Sequence, residues 1–459
     1  MDPPAEGCPL CGSTWGNYWR ETEGRSEFFC CEICADQWET LGREIRERAG
    51  WSSIEAIEVE GNRWGRTISA RSGETSYRCF VVFTPEGVLR RFDELPALLP
   101  LEAETTAPTP AEYDETPGLH PKLRERLESE AERFLDVTSL SIDEGRAQVR
   151  EVVAETDALA GGPPAVSQIK NTSVGLPGHR VPARVYFPDS GEAPYPVVVY
   201  FHGGGWVFGD LDTHDSLCRE IANRSACVVL SVAYRRAPEH KFPEALEDCL
   251  GALRWVADPK VTERLELDPT RVVLAGDSAG ATMATVVAIQ SRDEAGPRVS
   301  GQILLWPVTA YLPDNPSYRE NAEGMGLEGS FMPWMWEQYL RSPEDAKDPR
   351  VAPLLTEDLS GLPPALVITA ECDILRDEGE QYAHRLQQAG VTVHLTRYPG
   401  MIHGFIDYRG IVDDGWKALD EIGEWLRTTL VAARTAPAVP APSESAPAPE
   451  GDGGPTGPG

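Results

Sequence analysis

The chain has 459 residues, enough for a large α/β domain and a smaller one. Its formal net charge of −31 argues against a nucleic-acid-binding or anionic-membrane surface, because both attract Lys and Arg. The N-terminus MDPPAEGCPL has no secretory-signal pattern, and no apolar run approaches the roughly 20 residues that span a bilayer. We therefore expect a soluble, cytoplasmic protein with no nucleic-acid partner and no membrane span.

The first hundred residues are marked by a cluster of cysteines. Five of the ten cysteines lie between Cys8 and Cys34. CPLCG supplies Cys8 and Cys11, and CEIC supplies Cys31 and Cys34. Two Cys-x2-Cys pairs at this separation are typical of a four-cysteine structural zinc site. We expect zinc there, with a redox or catalytic thiol site as the alternative.

Cys30 is an alternative to Cys31 as a zinc ligand. Cys30-x3-Cys34 after an aromatic pair resembles the TRASH-type treble-clef pattern, and the segment as a whole resembles small zinc-binding archaeal proteins of unknown function. Two further stretches predict short strands closed by a turn: RWGRTISA and YRCFVVFTPEG. We expect residues 1–100 to form a small α+β zinc-binding domain that docks a protein partner.

Composition shifts divide the rest of the chain. Residues 101–118, rich in Pro, Thr and Glu, predict a linker, and residues 433–459, rich in Pro, Ala and Gly, predict a disordered tail. Residues 119–432 open on two amphipathic helical patterns and then alternate short apolar runs with helical ones. This alternation predicts an α/β domain with a mostly parallel, doubly wound sheet. The apolar runs are VPARVYF, PVVVYF, ACVVLSV, RVVLAG, GQILLWP, ALVITA and VTVHLTRY.

Ser278 lies in GDSAG, between the apolar run RVVLA and a helical stretch. G-x-S-x-G at such a junction is a nucleophile elbow, in which a tight turn lifts the serine hydroxyl clear of the sheet. We expect that positions 276 and 280 require glycine because backbone and helix pack closely around the turn. A chance match in a glycine-rich chain is the alternative, but the flanking strand and helix favour Ser278 as a nucleophile.

A serine nucleophile needs a base, and the base needs an acid that orients it. Three histidines follow Ser278. His384 lies within a helical pattern and His394 alternates within a strand, whereas His403 lies in a loop after the last apolar run. A loop position lets an imidazole reach over the edge of the sheet, so we predict His403 as the base.

The orienting acid is expected at the end of a strand between Ser278 and His403. ALVITAECDILRDEG places Asp373 at the turn after such a strand and Asp377 at the start of the next helix. Carboxylates are common at a helix start because they face the positive end of the helix dipole. We therefore predict Asp373, with Asp377 as the alternative. Asp277, beside the serine, is expected to point away from the elbow and to play a structural role.

The stretch VVVYFHGGGW places three glycines at the end of a predicted strand. The tetrahedral oxyanion of acyl transfer must be met by preorganised N–H donors, and glycines present bare backbone with no side chain in the way. We predict Gly203, Gly204 and Ala279 as the oxyanion hole, and His202 as a hydrogen-bonding brace rather than a second base. A phosphate-binding loop is the alternative, but this stretch contains neither G-K-[ST] nor GxGxxG.

Four motifs resemble those of the bacterial hormone-sensitive-lipase-like esterases, a branch of the α/β-hydrolases: HGGGW, GDSAG, DILRDEG and HGF. The resemblance covers about residues 119–430. It implies an α/β-hydrolase fold in which Ser278, Asp373 and His403 form the catalytic triad. One departure is Ala281, where the family usually has a second glycine and where an extra methyl group is expected to fit.

The resemblance also implies a helical cap, built from segments near residues 119–160 and 315–345. FMPWMWEQYL, in the second segment, either lines the substrate pocket or forms plain core, since aromatic residues at helical spacing are common in both. Capped members of this family are expected to prefer short to medium acyl chains over long-chain lipids.

These observations predict a serine carboxylesterase that acts on a small-molecule ester through an acyl-enzyme, with no cofactor for the chemistry. An amidase or deacetylase with the same triad is one alternative. Another is a non-catalytic ligand-binding or adaptor protein, as in the related plant gibberellin receptors, which lack the catalytic histidine; here His403 is present. Monomer and homodimer are both left open.

Overall fold

The computed structural model describes residues 18–22, 25–29, 32–62, 65–73, 75–83, 89–94 and 118–435. Several predicted features lie outside these residues: Cys8, Cys11, Cys30, Cys31, the linker up to residue 117 and the tail beyond residue 435. Within the described ranges, none of the helices combines the length and the apolar character that crossing a membrane requires.

The described residues of the N-terminal part form one helix and two antiparallel sheets, of strand orders β1-β2 and β3-β4-β5-β6. Trp38, Leu41 and Ile45 repeat along one face of the helix and are buried in one cluster with Ile68 and Val81 of the larger sheet. This is the α+β organisation that the sequence predicts. The elements are β1 Tyr18–Thr22, β2 Arg25–Phe29, α1 Glu32–Ala49, β3 Ala56–Asn62, β4 Gly65–Ser72, β5 Thr75–Phe83 and β6 Leu89–Glu94.

Residues 118–435 are built around an eight-stranded sheet of order β14-β13-β12-β11-β9-β10-β8-β7. The six strands from β14 to β10 pair in parallel, whereas β8 is antiparallel to both of its neighbours. The predicted mostly parallel sheet is confirmed. Its strands are β7 Gln168–Leu176, β8 His179–Phe187, β9 Tyr195–Phe201, β10 Val228–Val232, β11 Leu267–Asp277, β12 Gly301–Leu305, β13 Ala365–Cys372 and β14 Val393–Ile402.

Helices cover both faces of this sheet, which is why its central strands read as unbroken apolar runs. Along β9, Val197 and Val199 belong to one buried cluster, and Val198 and Tyr200 to the other. The first cluster includes residues of α5, α6, α7, α9 and α10, and the second includes residues of α2, α4 and α11. The helices are α2 Pro121–Arg133, α3 Ile142–Leu159, α4 Asp215–Ser225, α5 Glu244–Val256, α6 Pro259–Leu265, α7 Ala279–Asp293, α8 Pro316–Glu320, α9 Phe331–Tyr339, α10 Arg376–Gln388 and α11 Asp414–Thr435.

A buried carboxyl group joins α10 to the loop that follows β12. Glu378 is fully buried, and its Oε1 accepts hydrogen bonds from the N–H groups of Thr309 (2.7 Å) and Ala310 (3.2 Å). Burial raises the pKa of Glu378 to about 8, and the nearby Asp373 carboxylate acts in the same direction. The Glu378 side chain is therefore mainly protonated at neutral pH. In this neutral form it holds the Thr309–Ala310 loop by hydrogen bonds.

We expect Glu378→Gln to match the wild type in stability near pH 5 and to exceed it near pH 8. The folded state holds a proton on Glu378 that the unfolded state releases above the ordinary pKa, so wild-type stability falls as the pH rises between the two values. Glutamine has the shape of the protonated acid and does not titrate. At pH 8 the free energy of unfolding of Glu378→Gln should exceed that of the wild type by on the order of 2–4 kcal/mol, measured by urea unfolding at both pH values. An equal difference at both pH values would contradict a neutral Glu378.

Candidate active site

Ser278 occupies a strained turn between β11 and α7. Its backbone has φ 53° and ψ −123°, in a region that L-residues rarely adopt, and its N–H donates to Leu305 O at 2.8 Å. A Cβ at Gly280 would lie 2.0 Å from Phe201 O, and one at Gly276 would lie 2.4 Å from Gly280 O. Both glycines are therefore required by close backbone contacts, as the motif predicts.

His403 and Asp373 form a hydrogen-bonded pair at the same edge of the sheet. His403 Nδ1 lies 2.8 Å from Asp373 Oδ2, so Nδ1 carries the proton and Nε2 is left to accept one. The Asp373 side chain is fully buried, and its Oδ1 accepts from Leu375 N–H at 3.0 Å. The Trp306 ring packs edge-on against the His403 ring, with the centroids 5.9 Å apart.

Strand order brings the three predicted residues to one edge. Ser278 follows β11, Asp373 follows β13 and His403 follows β14, and the carboxyl ends of these parallel strands meet on one side of the sheet. The strand between the nucleophile and the acid, β12, is followed by Trp306, whose ring contacts His403. The edge therefore has the parts that a nucleophile, a base and an orienting acid require.

The alternative acid, Asp377, has other partners. Its Oδ2 accepts from Ser317 N–H at 2.7 Å, and its Oδ1 accepts from Arg376 Nε at 2.7 Å. It therefore ties α10 to the cap helix α8, whereas Asp373 is the carboxylate that contacts His403. His394 pairs with Glu421 on the surface, at 3.0 Å.

The glycine loop after β9 departs from the prediction at one position. The N–H of Gly203, which the sequence predicts to meet the oxyanion, donates to Asp277 Oδ1 at 2.9 Å. A carboxylate is a strong acceptor, so this N–H is directed at Asp277. Within the described part of the chain, the N–H groups of Gly204, Gly205 and Ala279 have no hydrogen-bond acceptor.

Gly205 is not among the predicted oxyanion donors, although its N–H is available. Gly204 and Gly205 have φ values of 104° and 58°, so a turn of left-handed backbone follows Gly203. In the sequence, Gly205 is marked only as the third glycine of HGGG. The motif does not show which of the three glycine N–H groups are free to bind an oxyanion, because this depends on the position of Asp277.

His202 braces the loop, as predicted. The ring is fully buried, Nδ1 donates to Gly203 O at 2.9 Å, and the ring stacks on Tyr234 with the centroids 4.2 Å apart. The Tyr234 hydroxyl donates to His202 O at 2.6 Å. Burial lowers the pKa of His202 to about 3, so the imidazole is neutral and structural.

Helices from the predicted cap segments hold the same loop from the other side. Trp336 and Tyr339 of α9 pack on Trp206, each with a centroid distance of 4.4 Å. A Cβ at Gly205 would lie 2.1 Å from the Met335 sulfur, so α9 closes directly over the loop. The FMPWMWEQYL stretch thus supplies core packing at the edge of the site.

The other cap segment is fastened by a buried arginine. Arg146 of α3 donates to Val207 O at 3.0 Å and to Ala237 O at 3.0 Å, and it pairs with Glu239 at 2.7 Å. These bonds tie α3 to Val207, just after the glycine loop, and to the segment that follows β10.

The predicted zinc ligands fall mostly outside the described ranges. Cys34 is described; it lies in the first turn of α1 and its residue is 8% exposed. Among the residues that the structure describes, no three His, Cys, Asp or Glu side chains are grouped to hold a metal ion. Cys8, Cys11, Cys30 and Cys31 lie outside that part of the chain.

Comparison with known proteins gives matches to both parts. A family model described as alpha/beta hydrolase fold matches residues 198–407, and a second, named Ta0938, matches residues 5–95. The ethyl acetate hydrolase of Pseudomonas putida is 37% identical over 305 residues, which cover 65% of this chain and 94% of that protein. The carboxylesterase NlhH of Mycobacterium tuberculosis is 38% identical over 301 residues, covering 64% and 91%.

A solved structure extends the likeness to three dimensions. The hyperthermophilic esterase from the archaeon Pyrobaculum calidifontis superposes with a TM-score of 0.64 at 40% identity, covering 69% of this chain and 99% of that one. The residues that the family model matches, 198–407, contain the serine turn and the glycine loop. The chain therefore belongs to the α/β-hydrolase family, in its branch of hormone-sensitive-lipase-like esterases.

Proposed function

We propose that this protein is a serine carboxylesterase that hydrolyses small-molecule esters of short to medium acyl chains. The observation that carries the proposal is the 2.8 Å bond between His403 Nδ1 and the buried Asp373 carboxylate, at the sheet edge where Ser278 lies. The names of the relatives support the reaction class, and the capped architecture of the family supports the chain-length preference.

The reaction follows from the roles these groups can take. The Ser278 hydroxyl attacks the ester carbonyl while His403 Nε2 accepts its proton, and Asp373 stabilises the resulting imidazolium. The oxyanion is met by the N–H groups of Gly204, Gly205 and Ala279. His403 then protonates the leaving alcohol, and a water molecule, deprotonated by His403, hydrolyses the acyl-enzyme to release the acid and restore the serine.

Replacing Ser278 by alanine should abolish hydrolysis of p-nitrophenyl acetate, butyrate and octanoate, lowering kcat by at least about 10⁴-fold, because no acyl-enzyme can form. Ser360→Ala, at an exposed serine, is the matched control and should keep wild-type rates. Wild-type rates that fall from butyrate to octanoate would support the chain-length preference. Activity that survives in Ser278→Ala would contradict the mechanism, and faster cleavage of a matched anilide would favour an amidase.

Replacing Asp373 by asparagine should lower kcat by about 10³–10⁴-fold without unfolding the protein, because the His403 ring then adopts the wrong tautomer. Asp377→Asn is the matched control; it should cost less than about tenfold, since that carboxylate binds Ser317 and Arg376. Steady-state kinetics and thermal unfolding of both variants provide the test. If Asp377→Asn lowered kcat strongly and Asp373→Asn did not, Asp377 rather than Asp373 would be the orienting acid.

For the N-terminal domain, we propose a structural zinc ion held by Cys8, Cys11, Cys34 and either Cys31 or Cys30. The spacing of the two cysteine pairs supports this, as does the place of Cys34 in the first turn of α1, where the positive end of the helix dipole favours a thiolate. Bound zinc would supply a tetrahedral crosslink and take no part in ester hydrolysis.

Metal analysis of the purified full chain should find one zinc per protein, which Cys8→Ser/Cys11→Ser removes and Cys227→Ser, at a buried cysteine of the hydrolase domain, retains. The kcat for p-nitrophenyl butyrate should be the same with and without zinc. A zinc-free wild-type protein whose N-terminal cysteines all react with a thiol reagent would contradict the metal site.

A further inference from the structure

His214 lies outside the predicted site but contacts the carboxylate behind the glycine loop. It precedes α4, and its side chain is 13% exposed. Its Nε2 is 3.2 Å from Asp277 Oδ1, and its Nδ1 is 2.9 Å from Thr213 Oγ1. The Gly203 N–H is directed at both His214 Nε2 (3.3 Å) and Asp277 Oδ1 (2.9 Å), so a proton on Nε2 leaves Asp277 as its acceptor. The ring is thus fixed at both nitrogens, with one of them directed at Asp277.

Asp277 connects the nucleophile turn to the glycine loop. It directly precedes Ser278, and its Oδ1 accepts from the Tyr200 hydroxyl at 2.7 Å and from Gly203 N–H at 2.9 Å. An oxyanion would form next to this loop. A carboxylate in this enclosed position opposes a second negative charge nearby, because electrostatic repulsion is weakly screened away from solvent. A positive charge beside Asp277 would offset this repulsion.

The charges around His214 favour its protonated form. Burial lowers the pKa of His214, but Asp277 first and then Asp407 and Asp210 outweigh it, so the pKa lies above its ordinary value. In return His214, together with the Tyr200 hydroxyl, lowers the pKa of Asp277 despite its burial. The groups that face the His214 ring are Asp277, Asp407, Asp210, the neutral His202 at 5.6 Å and Tyr200 at 6.0 Å.

We propose that His214 is a positioning residue: its imidazolium holds the Asp277 carboxylate against Gly203 N–H and balances its charge, so that the neighbouring backbone N–H groups stabilise the oxyanion. The ring acts through Asp277 and does not touch the substrate. This role rests on the proposed carboxylesterase function and concerns the transition state rather than substrate binding.

The first test is His214→Gln, which keeps a donor near the Nε2 position and removes the positive charge. With p-nitrophenyl butyrate at pH 7, kcat should fall by about tenfold to hundredfold, less than the loss of a whole oxyanion donor. KM should change by less than about threefold, because the unbalanced charge acts on the transition state. A kcat within twofold of the wild type, in a variant with an unchanged Tm, would overturn the proposal.

The second test removes both charges, in His214→Gln/Asp277→Asn. The asparagine oxygen still accepts from Gly203 N–H, while the unbalanced carboxylate is gone, so kcat should recover by at least about fivefold over His214→Gln. A merely structural role predicts the opposite, since the second substitution weakens the same contacts further. A double variant no faster than His214→Gln would overturn the charge balance.

The pH dependence of the wild type tests the proposal without any substitution in the cluster. The His214 imidazolium is present below its raised pKa and is lost above it, so the kcat of the wild type should fall on the alkaline side of the pH profile. His214→Gln should lack this alkaline fall. A wild-type profile with no alkaline fall would overturn the proposal even if the variant did not fold.

Ser278→Ala distinguishes the two levels of failure. If the wild type hydrolyses no ester, the proposed function and this inference fail together. If the wild type is active and Ser278→Ala is not, while His214→Gln keeps its rate and its pH profile, the carboxylesterase assignment stands and only the role of His214 is wrong.

Discussion

The architecture of the site depends on the close approach of two backbone turns. The nucleophile turn after β11 and the glycine loop after β9 touch so closely that a Cβ at Gly280 would meet Phe201 O at 2.0 Å, and one at Gly203 would meet Asp277 Oδ2 at the same distance. Because β9 and β11 are adjacent parallel strands, both turns leave the sheet at one edge. This contact places the serine and the bare N–H groups side by side, and the remaining elements hold it in place.

Three kinds of support surround this contact. Aromatic rings of α9 pack on Trp206, and Arg146 of α3 donates to the Val207 carbonyl just after the loop, so the cap fixes the loop from outside. The Asp277 carboxylate binds it from inside. On the neighbouring strands, Asp373 and Trp306 orient His403. Rigid support on all sides suits a site whose donors must be preorganised before charge develops.

Buried ionisable groups near the site are matched to their surroundings in different ways. Glu378 is buried near the Asp373 carboxylate and stays mainly protonated, with a pKa near 8. Asp277 lies beside His214, and its pKa is lowered despite burial. Of these two buried carboxyl groups, Glu378 is therefore neutral and Asp277 is ionised, since burial disfavours a charge unless a partner is present.

The sequence by itself determined the elements whose signals are local. Ser278 follows from its motif, and the parallel sheet follows from apolar runs whose two faces are both buried, as at Val198 and Val199. His403 and Asp373 were found from their positions after strands. Tertiary structure alone decided which glycine N–H groups have no acceptor within the described part of the protein. The Gly203 N–H donates to Asp277, which lies 74 residues away along the chain. The tertiary structure also decided that His214 reaches Asp277. Such contacts join side chains to distant backbone atoms, and local residue patterns carry no signal for them.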